Sequence, residues 1–226
     1  LIVHGFMADP KESRALAEYL HEWLSVDILG LRLPGHGSTY EDLLLTNKED
    51  WQLAVTEAYA FMQEQYQKNA IIGVSMGALL SLEVAAKTSP EALVMVGVPF
   101  YLTDLRIGKL ATLCKWVPWL KKGIGAKSVA TTPEPERKDY IYANVCLGSI
   151  LELTQVIAEK RAFLKEIACP LLLCHSREDA VANVSAVEMV LKETQAISED
   201  DKKAVVTNGP HSLFFDLSQT PKEALE

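Results

Sequence analysis

The 226-residue chain is expected to fold as an α/β protein, a mostly parallel sheet with helices on both faces. Three observations point there. Short apolar runs alternate with helical stretches along most of the chain. The apolar runs, such as "AIIGV", "ALVMVG" and "PLLLCHS", are nearly continuous, which is the pattern of strands buried on both faces. Hydrophobic residues make up 49% of the chain, enough at this length for one large core.

"LIVHG" reads as a buried strand that stops at Gly5. "DPKESRALAEYLHEWL" follows as a helix. Asp9 is expected to cap it, Pro10 suits its first turn, and Glu12 is placed to complete a capping box. Leu16, Leu20, Trp23 and Leu24 give it an apolar face. "VDILGLRL" is a second strand, closed by the turn "PGHG" at 34–37. Asp50 is the expected cap of a second helix, in which Trp51, Val55, Ala58 and Met62 recur at helical spacing. "AIIGV" is a third strand, followed by a helix from Met76 to Lys87, and "ALVMVG" is a fourth. "PLLLCHS" and "KAVVT" are the fifth and sixth, with the helical "NVSAVEMVLKETQ" between them.

Residues 101–167 break the alternation. They hold Trp116, Pro118 and Trp119, a polar hinge "TTPEPERKD", and a helical stretch to Glu166, with no evident strand. The chain re-enters the sheet afterwards. The expected organisation is therefore a core of 1–100 and 168–226 with a helical insertion, 101–167, over one sheet edge.

The net charge is −8 and no basic stripe stands out, which argues against a nucleic-acid partner. Cys114, Cys146, Cys169 and Cys174 lack metal-ligand spacing. They read as small buried hydrophobes in a reducing compartment, the cytoplasm. The apolar runs fall well short of the roughly 18 residues a membrane span needs, and no signal peptide is visible, so no stable membrane insertion is expected. The chain opens at Leu1 inside a strand pattern and closes in the helical "TPKEALE", so both ends read as trimmed.

The stretch "GVSMG" (73–77) sits where a strand becomes a helix. Such a corner forces its central residue into a strained backbone and projects the side chain from the carboxyl end of the sheet, while the glycines let strand and helix approach closely. Ser75 then stands exposed at a helix N-terminus, where free N–H groups favour developing negative charge. A serine is a weak nucleophile alone; it needs a base, and the base needs an orienting acid. "REDAVA" places Asp179 after the fifth strand, and "NGPHSLFFD" places His211 after the sixth, both at the sheet edge where Ser75 emerges. His211 would take and return the serine proton, and Asp179 would fix the imidazole tautomer. Glu178 is the rival acid. Asp216 follows the histidine and is expected on a final helix. Two amide donors are needed for an oxyanion: Met76 N–H at the helix start and Phe6 N–H in the "HGF" loop. His4 is expected to brace that loop, His36 and His175 to be structural, and His21 to lie on the surface.

"HGF", "PGHG", "GVSMG", "REDAV" and "GPHSLFFD" occur in this order and cover almost the whole chain. Together they resemble the α/β-hydrolase superfamily, and within it small bacterial carboxylesterases related to monoacylglycerol lipases. The resemblance implies Ser75, Asp179 and His211 as a triad, Phe6 and Met76 as oxyanion-hole residues, no cofactor or metal, and an insertion that acts as a cap. The chain lacks the first strands often found in this fold, and its cap is longer than in the most compact esterases. Phe100, Tyr101, Leu105, Leu110, Trp116, Trp119 and Ile124 offer apolar surface for an acyl pocket, where each buried methylene contributes about 0.8 kcal/mol.

The expected activity is hydrolysis of short- to medium-chain carboxylic esters, monoglycerides among them, through an acyl-enzyme. A thioesterase or amidase would use the same groups. A non-catalytic small-molecule binder of this fold has no need of all three. Haloalkane dehalogenation would require a carboxylate where Ser75 stands.

Overall fold

A computed structural model describes residues 1–104 and 147–214. Within them lie six strands: β1 (Ile2–Val3), β2 (Gly30–Leu31), β3 (Ala70–Val74), β4 (Ala92–Val96), β5 (Leu171–Ser176) and β6 (Lys202–Thr207). Their order is β2-β1-β3-β4-β5-β6 and every neighbouring pair is parallel. The direction of winding reverses between β1 and β3. In open parallel sheets the crevice for a ligand opens at such a switch point, beyond the carboxyl ends of the strands.

Continuous apolar runs produce a sheet buried on both sides. Ile71, Leu93, Met95, Leu171 and Leu173 face one apolar cluster, whereas Val74, Val96 and Cys174 face another together with Leu16, Leu213 and Phe214. Successive side chains of a strand point to opposite faces, so one unbroken apolar stretch supplies both cores.

Six α-helices lie among the described residues: α1 (Arg14–Leu24), α2 (Tyr40–Leu44), α3 (Lys48–Gln65), α4 (Met76–Thr88), α5 (Leu147–Lys160) and α6 (Ser185–Glu193). Helix α4 is apolar nearly all round because it packs against the sheet and against α3 and α5. Its Glu83 carboxylate pairs with Lys160 of α5, a largely buried ammonium, and with Lys87 one turn on.

Three local expectations are corrected. Asp9 does cap, but it caps a 3-10 turn, Pro10–Ser13, by accepting from Lys11 N at 2.7 Å; the Glu12 carboxylate makes no capping box and reaches Gly5 instead. Helix α3 is capped by Asn47, not Asp50. Asp50 sits at the third helical position and closes a reciprocal box with Asn47. Thr39 and Asp42 form a second such box on the five-residue α2, a helix too short to show periodicity in the sequence. The second strand is also shorter than "VDILGLRL", since only Gly30 and Leu31 join the ladder.

Of the region 101–167, α5 and a following 3-10 helix (Arg161–Lys165) are described, and Val156, Leu164 and Ile167 join the larger apolar cluster. Leu102 makes a single antiparallel bridge to Ala182. Phe100 is buried and Tyr101 exposed. Leu105, Leu110, Trp116, Trp119, Ile124, the hinge, Cys114 and Cys146 lie outside the described residues.

Candidate active site

Ser75 adopts φ 52°, ψ −118°, a conformation that L-residues avoid, between β3 and α4. Its N–H donates to Val96 O at 2.8 Å and its carbonyl accepts from Ala78 N at 3.0 Å, so the corner is pinned from both sides. The flanking glycines are a steric necessity. A Cβ on Gly73 would lie 2.4 Å from Ala78 Cα, and one on Gly77 would lie 2.2 Å from Val3 O. The close approach seats α4 against β1 and β3 and holds Ser75 beyond the carboxyl end of β3 at the switch point, where it is 8% exposed and so more buried than the sequence reading expected.

The loop after β1 borders the same corner. A Cβ on Gly5 would stand 3.3 Å from Ser75 Cβ. Gly5 to Ala8 form a turn closed by Ala8 N to Gly5 O at 3.3 Å, with Met7 at φ 59° and Phe6 at its crest. Met76 is the first residue of α4, and its N–H has no helical acceptor because strand and corner precede it. His4 braces this loop as expected. Its Nδ1–H donates to Gly5 O at 2.8 Å, and Nε2 accepts from Leu33 N at 3.1 Å. Burial, reinforced by nearby His36, lowers its pKa to about 3, so the ring is neutral.

His36 is buried between Phe6 and Trp51, at ring distances of 6.0 and 5.4 Å. Its Nδ1–H donates to Pro34 O at 3.0 Å, and burial brings its pKa to about 4. His21 is an exposed residue near the end of α1, bonded through Nδ1 to Val26 O at 2.8 Å.

Asp179 and His211, 32 residues apart, are brought together. His211 Nδ1–H donates to Asp179 Oδ2 at 2.6 Å. Asp179 Oδ1 accepts from Val181 N and Ala182 N, each at 2.8 Å. Burial alone would raise this carboxyl. The hydrogen bond and charge of His211, with the two backbone donors, outweigh burial and hold it below the ordinary carboxylate range. His175 lies beneath, fully buried, with Nε2–H donating to Ala182 O at 3.1 Å and standing 3.6 Å from Asp179 Oδ2. Burial depresses its pKa despite the carboxylate, so it too is a structural ring. The rival acid, Glu178, accepts from Gly209 N at 3.2 Å and thereby holds the histidine loop rather than the histidine. Ser176 Oγ–H donates to Gly209 O and adds a second tie between the same loops. Asp216 lies outside the described residues.

The sequence reading passed over Gly97. It follows β4 at φ +57°, and a Cβ there would sit 3.0 Å from His211 Cε1 and 3.1 Å from Nδ1. The imidazole therefore lies against the end of β4, next to Val96, whose carbonyl holds Ser75 N. A glycine directly after an apolar strand was the available signal. Among the described residues, no group of three or more His, Cys, Asp or Glu side chains could hold a metal ion, and no helix is long and apolar enough to cross a membrane.

The parallel sheet, the strained serine corner and the loops gathered around it define the α/β-hydrolase class, the expected fold. More narrowly, the chain belongs to the serine aminopeptidase S33 family (Hydrolase_4), whose model matches residues 1–218. It is 30% identical over 221 residues to a thermostable monoacylglycerol lipase of Bacillus sp. (strain H-257), covering 97% of this chain and 84% of that relative. It is 24% identical over 204 residues to a carboxylesterase of Bacillus subtilis (strain 168), covering 90% and 79%. Among solved structures, a metagenome-derived lipolytic enzyme, LipS or LipT, superposes with a TM-score of 0.79 at 22% identity, over 95% of this chain and 85% of that one. That last likeness speaks for the fold alone.

Proposed function

We propose that the chain is a serine hydrolase that cleaves carboxylic esters of short to medium acyl length, monoglycerides among them, through an acyl-enzyme on Ser75. The relatives named as a monoacylglycerol lipase and a carboxylesterase support an ester as the substrate. The carrying observation is the 2.6 Å bond from His211 to Asp179, with the imidazole packed against the end of β4, beside the strained Ser75 corner.

In this reading Asp179 fixes the tautomer that leaves His211 Nε2 free to accept a proton. Ser75 Oγ attacks the ester carbonyl carbon as its proton passes to Nε2. The carbonyl oxygen becomes an oxyanion, received by the N–H groups of Phe6 and Met76. Collapse breaks the bond to the alcohol oxygen, which takes the proton from His211 and departs. Water, deprotonated by the same Nε2, then attacks the acyl-serine and releases the acid. Ionised Asp179 stabilises the imidazolium in both halves. The segment 101–167 is assigned as a cap over this crevice, and its apolar residues as walls of an acyl pocket. Cys169 and Cys174 are free, buried thiols, which suits a reducing compartment, and we place the enzyme in the cytoplasm.

The test is turnover of p-nitrophenyl esters of graded chain length, with labelling by a fluorophosphonate. Ser75→Ala should abolish labelling. Ser75→Ala and His211→Ala should each lower turnover by about 10³-fold or more, and the double variant should lose little beyond either. Folded wild-type protein that turns over no ester and takes no label would reject the reading. Matching thioester and amide substrates rank the three bond types directly.

A further inference from the structure

Glu12 lies in the 3-10 turn after β1, and its carboxylate joins two loops far apart in the chain. Oε2 accepts from Gly5 N at 2.9 Å and Oε1 accepts from Ser212 Oγ at 3.0 Å, across 200 residues of sequence. Gly5 immediately precedes Phe6, and Ser212 immediately follows His211. A Cβ on Gly5 would stand 3.3 Å from both Glu12 Oε2 and Ser75 Cβ, so the carboxylate, the loop backbone and the serine converge on one spot.

We propose that Glu12 is a positioning residue that sets the distance between the amide donor of Phe6 and the base His211, and so matches the oxyanion site to the proton-transfer site. The inference rests on the roles given above to Ser75, His211 and Phe6. Its physical basis is the double acceptance by one rigidly placed carboxylate. Hydrogen bonds to an ionised acceptor are stronger than neutral ones. Gly5 N–H is part-buried and would lose its acceptor without Glu12. The loop after β1 is short and carries a non-glycine residue, Met7, at φ 59°, so losing its anchor lets it relax from a strained form. Errors of about 1 Å at such a site cost up to ~10²-fold in rate.

The closing experiment compares Glu12→Ala, Glu12→Gln and Ser212→Ala in the otherwise intact chain, with p-nitrophenyl ester kinetics, affinity for an alkyl boronic acid and thermal melting. A boronate on serine is tetrahedral and anionic, so it reports transition-state geometry. Glu12→Ala should lower kcat by about 10- to 100-fold, leave KM nearly unchanged, and weaken boronate binding in proportion to kcat/KM. Glu12→Gln should recover most of the rate, because its amide oxygen can accept from Gly5 N while its NH2 donates to Ser212 Oγ. Ser212→Ala should lose less than Glu12→Ala, and the double variant should match Glu12→Ala. A folded Glu12→Ala with wild-type kcat overturns the proposal, as do losses in the pair that simply multiply. If Glu12→Ala does not fold, Glu12→Asp decides. Its carboxylate is one methylene too short to reach both donors, so kcat must fall with the melting temperature held, and an unchanged kcat overturns the idea. Fluorophosphonate labelling of Ser75 in the wild type separates this outcome from failure of the hydrolase assignment itself.

Discussion

Asp179 shows how a single carboxylate can decide a tautomer. Its Oδ1 is occupied by two backbone N–H groups, so only Oδ2 is left to face His211. In Asp179→Asn the amide oxygen should stay on Val181 and Ala182 N–H, because the reversed amide would set two donors against its NH2. The NH2 then points at His211 Nδ1, which must become the acceptor. The proton moves to Nε2, the atom that receives the serine proton in the proposed mechanism. Turnover should therefore fall by at least about 10³-fold with little change in folding. Glu178→Gln should stay within about threefold, since an amide oxygen still serves Gly209 N. Ester kinetics on the two variants decide between the acids; the reverse ranking would move the orienting role to Glu178.

At the scale of elements, two glycines distinguish structural from functional tight contacts. Gly77 seats α4 on β1: an added Cβ would fall 2.2 Å from Val3 O and 2.6 Å from His4 O, both rigid backbone. Gly77→Ala should therefore cost at least about 1–3 kcal/mol, with a large drop in melting temperature. Gly97→Ala meets the His211 ring at 3.0 Å, a side chain that can move, plus a left-handed penalty of about 1–2 kcal/mol at φ +57°. It should melt only modestly lower yet lose tenfold or more in kcat. Equal kinetic damage per degree of melting shift in the two variants would refute the distinction. The elements themselves were legible to unequal degrees. β3, β4 and β5 stood out because burial on both faces leaves long apolar runs, whereas the edge strand β6 was marked only by its short "AVV" core behind two lysines. The caps did not, because Asn47 and Asp50 both fit the N-terminal pattern and only geometry shows which is outermost. Glu12 was misassigned for the same reason: a capping-box spacing is satisfied locally, whereas its actual partner Ser212 sits 200 residues away. Asp179 and His211 were legible because the order of strands and loops places them at one edge before any contact is known.

For the molecule as a whole, the buried histidines set the response to acid. His4 and His36 are each 1% exposed and pack ring to ring at 5.3 Å, with pKa values lowered from 6.5 to about 3 and about 4. Unfolded, each binds a proton near pH 6.5; folded, neither does until far lower. Between about pH 6.5 and 4 the unfolded chain therefore holds up to two extra protons on this pair, buried His175 adds in the same sense, and stability falls as pH falls. Each such proton is worth roughly 1.4 kcal/mol per pH unit. Their contribution is fully present above pH 6.5 and declines through this window. A net charge of −8 works in the opposite direction, since acid relieves repulsion among surface carboxylates. That repulsion is screened at moderate salt, whereas the buried rings are not, so the histidines win. Urea unfolding in 0.15 M salt should give a steep decline in stability from pH 6 to 4.5. His36→Phe removes one of the two protons and the unpartnered Nε2, at the expense of the bond to Pro34 O, and keeps an aromatic ring beside Phe6 and Trp51. Its stability should depend on pH less steeply, by about one proton near pH 5. A slope identical to the wild type would show that His36 does not stay neutral in the folded protein.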